Sequence, residues 1–169
     1  MKRIIGILII VLSVIVIILN ACTREAIAGA IALPSDIASR LKAEVRMPKG
    51  VIVSDENAEE TGQLVIALMG KDFDSAMFDG YAVYPPVVNV TASEFGIFKV
   101  KDLSDIDKAE EIARRRIEKI QALFSDERNE QYKIAENGEV RTDGKYVYYS
   151  MSKDNGKVFD IISDMLNDK

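Results

Sequence analysis

Tyr146 and Tyr148 alternate with Val147 and Tyr149 in a β-prone stretch, which places them on one face of a strand together with Ser150 and Ser152. An earlier β-prone stretch carries Tyr81 and Tyr84. Tyrosine joins apolar area to a polar tip, so these four side chains are the best candidates for a surface that binds a sugar, a peptide or a protein partner. The competing reading is ordinary cross-strand packing. Arg114, Arg115 and Arg116 could grip an anion, but Glu110 and Glu111 stand one helical turn before the first two and read as their partners on a solvated face. Asp72, Asp74 and Asp79 make an acidic loop, yet Ala76 and Met77 stand where a calcium loop needs an oxygen ligand and a glycine. Glu94 lies beside Ser93, a pairing too common to indicate catalysis. The chain has no histidine, so the usual general base and metal ligand are missing, and its one cysteine permits neither an internal disulfide nor a zinc cluster. A pair of carboxylates could still hydrolyse a glycoside, but nothing in the sequence sets two of them face to face. No catalytic residue, metal or cofactor is therefore assigned.

That cysteine, Cys22, closes the segment Leu19-Asn20-Ala21-Cys22. Before it come a positive start, Lys2-Arg3, and an aliphatic run from Ile4 to Leu19, the physical marks of a secretory signal. A cysteine directly after a small residue at this place resembles the bacterial lipobox, although Asn20 stands where small or β-branched residues are usual. The resemblance implies cleavage before Cys22 and acylation of its thiol, palmitate being one of the chains such a cysteine carries. Left uncut, the apolar run would instead serve as an anchor helix. Both readings place the remainder on the outer face of the cytoplasmic membrane, because Lys2 and Arg3 stay inside.

The organisation expected is then a signal over 1–21, a lipidated cysteine and alanine-rich tether over 22–33, and one domain over 34–169. The whole chain carries a formal charge of −5; removing Lys2 and Arg3 with the signal takes 22 basic residues to 20 against 27 acidic ones, or −7. Such a balance disfavours nucleic acid as a partner.

Within the domain, Ser35 predicts the cap of a helix carrying Ile37, Leu41 and Val45, and Asp55 or Asn57 the cap of a second with Leu64 and Leu68 inward and Gly70 at its end. Tyr81–Tyr84 and Val87–Thr91 read as strands parted by Pro85-Pro86, and Glu94–Val100 as their partner. Ser104 or Asp105 opens a long helix with Ile106, Ala109, Ala113, Ile117, Ile120 and Phe124 on one face. Asp143-Gly144 predicts a two-residue hairpin, and Asp154 caps a last helix with Val158, Ile161, Ile162, Met165 and Leu166 inward. The order predicts an α+β, two-layer domain: an antiparallel sheet of about four strands with helices on one face.

The stretch Asn89 to Asp102, the charged helix after it, and Gly144-Lys-Tyr-Val-Tyr-Tyr-Ser-Met-Ser152 before a final helix resemble a bacterial lipoprotein family, domain of unknown function 4358, over roughly Pro34 to Leu166. The resemblance implies a lipoprotein of the Gram-positive type and brings no catalytic residue with it. The function expected is a membrane-tethered, non-catalytic binding module for an envelope protein or peptide, with a structural subunit of an envelope complex as the alternative.

Overall fold

The structure, a computed structural model, describes residues 32–88, 90–127 and 129–167. The predicted signal, Cys22 and the tether up to Ile31 lie outside the described residues. Among the described residues no helix is long and apolar enough to cross a membrane.

Helix α1 spans Pro34–Glu44. Proline suits its first turn, where a missing N–H costs no bond and φ is already helical. The cap position falls on Leu33 rather than Ser35, which is buried one residue inside the helix. Ile37, Ala38 and Leu41 are fully buried, each large aliphatic contributing about 1.5–3 kcal/mol.

Strand β1, Val53–Ser54, leads through a short turn to α2, Ala58–Met69. The Asn57 side chain ties this corner. Its Oδ1 accepts from Ser54 N at 2.8 Å and Thr61 Oγ1 at 2.8 Å, and its Nδ2 donates to Ile52 O at 2.9 Å. The fully inward residues of α2 are Val65 and Met69, and Leu68 is half-buried against the same core as expected, while Leu64, also expected inward, is exposed like Ile66, a correction of the expected face. Leu64 to Met69 is an unbroken apolar run, so spacing alone cannot fix its phase.

Strand β2, Phe78–Tyr84, pairs antiparallel with β3, Glu94–Val100. Val87–Thr91, expected as a strand, is a loop. Pro85 and Pro86 offer no N–H, and the ladder ends with one bridge from Pro86 to Gly50 and a bond from Val87 N to Lys49 O. Val87, Val88 and Val90 are left in solvent.

Helix α3, Ile106–Leu123, buries Ala109, Ala113, Ile117 and Ile120 of the predicted stripe and, beside them, Ile112 and Arg116, while Ile106 and Phe124, the latter just past its end, are half-buried. A further helix, α4, Glu130–Glu136, was not foreseen; Asn129 caps it by accepting from Gln131 N. Strands β4, Glu139–Asp143, and β5, Tyr146–Met151, form the predicted hairpin. The turn is one residue later than expected: Asp143 pairs with Tyr146, and Gly144-Lys145 is the loop, with the positive φ of 55° falling on Gly144. Helix α5, Asn155–Asn167, follows, with Asp154 Oδ1 accepting from Lys157 N at its start.

The antiparallel sheet has five strands in the order β1-β2-β3-β5-β4. The α+β class stands, but the helices cover both faces. Tyr81, Val83, Phe98, Val100, Val147, Tyr149 and Met151 face α2, α3 and α4. Ala82, Tyr84, Phe95, Ile97, Tyr146 and Tyr148 face α1 and α5. The two-layer expectation, with helices on one face, is thus corrected to a sheet between two helical layers. The central strands are apolar at both parities, as strands buried on both faces must be.

Candidate functional site

The four tyrosines predicted as a binding surface are interior residues, 2–8% exposed. They do not even share a face: Tyr81 lies under the α2–α4 layer and the other three under α1 and α5. Tyr84 stacks on Phe95 with centroids 5.3 Å apart, donates its hydroxyl hydrogen to Pro48 O at 3.0 Å and accepts from Gly50 N at 2.9 Å. Gly50 permits this approach, because a Cβ there would stand 2.7 Å from the Tyr84 ring. Tyr146 donates to Ala32 O at 2.8 Å, and Tyr148 packs against Phe159. Tyr81 meets Phe73 edge-on at 5.2 Å. Burial pushes the Tyr146 hydroxyl up to about 12, with Asp79 adding to it. Tyr148 and Tyr81 are raised as well, by burial first and then by Asp143 and Asp55 respectively. Alternation placed Tyr146 and Tyr148 together correctly; it could not reveal that both faces are covered.

The polar cluster that sequence reasoning missed lies between β3 and α3. Glu94 is completely buried, and Arg116 is 6% exposed. Arg116 donates from Nε to Glu94 Oε1 at 2.7 Å and from Nη2 to Oε2 at 2.5 Å, a bidentate pair. Tyr149 on β5 donates its hydroxyl hydrogen to Glu94 Oε1 at 2.5 Å. Burial draws the Arg116 pKa down, and the Glu94 carboxylate more than offsets it, leaving it above its ordinary value. Burial, and then the Glu94 charge, hold the Tyr149 hydroxyl well above the usual tyrosine range. Directly across the ladder from Tyr149 is Gly96, where a Cβ would come within 2.3 Å of the Tyr149 ring. The glycine lets the ring lie flat over the strand and deliver its hydroxyl to Glu94. Chemically the cluster is closed: each oxygen of Glu94 is occupied and the two charges cancel.

The other arginines of the run diverge. Arg114 pairs with Glu110 at 2.7 Å, as expected. Arg115 does not pair with Glu111; it reaches Asp72 of the acidic loop, also at 2.7 Å. Thr142 and then Arg114 hold the Glu110 carboxyl below the usual range. Asp74 accepts from Ala76 N as a turn cap, and Asp79 is exposed at a bulge in β2. Among the described residues no three acidic, cysteine or histidine side chains converge as a metal cage requires.

Open clefts remain, among them two of similar size. One, of about 400 Å³, is lined by Arg46, Thr91, Ser93, Gln131 and Lys153 with apolar floor residues Met47, Pro48 and Ile134. It adjoins the loop whose Val87, Val88 and Val90 are 57–70% exposed. The other, of about 390 Å³, lies between the end of α2 and the outer side of α3, and takes in Lys71, Arg115 and Lys119. The chain enters the domain at Ala32 beside Tyr146, with Pro34 against Gly80, whereas Pro48 and Gly50 meet Tyr84 at the other end of β2. The valine loop and the first cleft are thus at the end of the sheet away from the point of entry.

No curated protein and no solved structure matches the chain. Residues 72–152 match the model of a family described as a domain of unknown function (DUF4358). The matched segment opens at Asp72, the partner of Arg115, and closes just past β5, so it contains Glu94, Gly96, Arg116 and Tyr149 together with β2 to β5. Over that segment the chain is similar to the domain of unknown function 4358, the family that its strand and helix motifs resemble.

Proposed function

We propose that the protein is an extracytoplasmic recognition module, tethered to the membrane through a lipid on Cys22, that holds an envelope protein or peptide at the end of the domain opposite Ala32. The observation that carries this reading is the exposed loop of Val87, Val88 and Val90 at that end. Exposed aliphatic side chains gathered beside a polar cleft are the usual composition of a contact site. Arg46, Gln131 and Lys153 supply the hydrogen-bonding rim. A non-catalytic role is supported by the state of the buried acid and base: Glu94, Arg116 and Tyr149 satisfy one another and leave no group free to move a proton.

The test has two parts. Intact mass and membrane fractionation in a bacterium compare wild type with Cys22→Ala; a lipidated wild type lacking residues 1–21, with the mutant uncleaved, is the expected result. A photo-crosslinking amino acid at Val88 then reports the contact in living cells, with the same probe at exposed Glu56 as the control. One discrete adduct at Val88, lost when Val87 and Val90 become serine, supports the proposal. An unlipidated wild type overturns the tether, and equal labelling at both positions overturns the contact site.

A further inference from the structure

We infer that the cleft between the end of α2 and the outer side of α3 is an oxyanion site that takes the phosphate group of a small ligand. The inference does not depend on the valine loop or on the tether. The chain as a whole is acidic, at −5, yet Lys71, Arg115 and Lys119 converge here against one acid, Asp72, a local balance of +2. Arg116 also borders the cleft but is neutralised by Glu94. Gly70 ends α2 with a φ of +102°, a conformation side-chain-bearing residues rarely adopt, and turns the chain so that Asp72 meets α3.

The hydrogen-bond inventory points the same way. Arg115 gives Nη1 to Asp72, but its Nε is buried and has no acceptor among the described residues. Shut off from solvent, that atom cannot meet a ligand; the donor that Arg115 can offer outward is its second terminal nitrogen, Nη2. Lys119 Nζ donates to Ala67 O at 3.1 Å, and an ammonium has two further hydrogens to give. A fork of guanidinium donors flanked by two ammonium groups suits a tetrahedral anion with several acceptors and nearly two negative charges, which a carboxylate does not offer. Asp72 is then the competitor that holds Arg115 while the site is empty.

The full chain, purified in a neutral detergent, is titrated with pyrophosphate and with glycerol 3-phosphate by calorimetry. Saturable binding with a Kd at or below about 1 mM is expected. Lys71→Gln and Lys119→Gln each weaken it about tenfold, the worth of one charge-assisted hydrogen bond, and Arg115→Lys, which keeps the charge but loses the guanidinium fork, weakens it as well. Asp72→Asn tightens binding by removing the competitor. Lys133→Gln, an exposed cation on α4 that lines neither cleft, changes nothing. Unaltered thermal midpoints show that each variant is folded. A preference for glycerol 3-phosphate assigns the ligand to lipid headgroups and a preference for pyrophosphate to free phosphates; either supports the site. Absence of saturation, an equal effect of Lys133→Gln, or no tightening in Asp72→Asn overturns it.

Discussion

Replacing Glu94 by glutamine should cost more stability than any other isosteric change in this domain, and the loss should vanish when Arg116 is replaced too. Glu94 is completely buried and Arg116 nearly so, and they share two hydrogen bonds of 2.7 and 2.5 Å. Glutamine has the shape of glutamate but one acceptor oxygen, so Arg116 keeps its charge in the interior with no counter-charge. Breaking a buried pair from one side costs about 3–5 kcal/mol, a large part of a total near 5–15 kcal/mol. At about 2–4 °C per kcal/mol for a domain of this size, the midpoint should fall by about 6–20 °C. Arg116→Met alone strands Glu94 and should cost a comparable amount. The double variant removes both charges while methionine follows the path of the arginine stem. It should lie within about 1 kcal/mol of wild type or exceed it, since apolar replacements of buried pairs are often neutral or stabilising. Urea unfolding of the four proteins, followed by circular dichroism, closes the cycle and gives the coupling energy. Single variants that each cost under about 1 kcal/mol, with additive effects in the double, would refute the claim that this pair is desolvated and mutually dependent.

Further tests reach other parts of the fold. Gly96→Ala should destabilise by about 1–3 kcal/mol or more, because the Tyr149 ring lying 2.3 Å from the new Cβ is pinned by Glu94 and cannot withdraw; a Tyr149→Leu background should reduce the cost in chemical denaturation. Asn57→Ala should cost about 1–2 kcal/mol by the same measurement, since it removes a side chain that serves Ser54 N, Thr61 Oγ1 and Ile52 O together. Alkaline stability follows from the tyrosines. Tyr81, Tyr146, Tyr148 and Tyr149 all hold their protons more tightly when folded than the ordinary value of 10, so their contribution is complete below about pH 10 and is lost as pH rises. For Tyr146 the window runs from about 10 to about 12. In a Tyr132→Phe background, which removes a hydroxyl that bonds Glu136 at the surface, tyrosinate absorbance should therefore rise together with unfolding rather than before it, and early, independent ionisation of several tyrosines would contradict the burial of these hydroxyls.

Local signals made some elements readable in advance. The α3 stripe repeats for several turns, and a glycine able to take positive φ marks the β4–β5 turn to within one residue. After Tyr84 two local rules compete. Valines favour strands, but two prolines before Val87 leave the ladder without donors, and the loop wins. The alternation rule assumes one wet face, which led to tyrosines on display. Tyr81-Ala-Val-Tyr84 and Tyr146 to Met151 carry large side chains at both parities, and that density was itself the sign of a sheet covered twice.

The buried pair left a sign of the same kind, spread over three elements. Arg116 falls between Ile112, Ala113, Ile117 and Ile120 on the apolar stripe of α3, where an unaccompanied charge could not remain. Glu94 and Gly96 share a strand face with Phe98 and Val100, so that face opens with a carboxylate and then a residue with no side chain. Each departure is ambiguous alone: an arginine can snorkel at a stripe edge, and a strand can begin with an exposed acid. Together they fit, because a charge forced inward on a helix requires its opposite on the sheet beneath, and the missing side chain makes room for a third partner. What spacing could not supply was the register of β3 against β5, which sets Tyr149 opposite Gly96 and brings its hydroxyl to Glu94. That register joins residues far apart in the chain, so its cause is the packing of the whole sheet between its two helical layers rather than any local pattern.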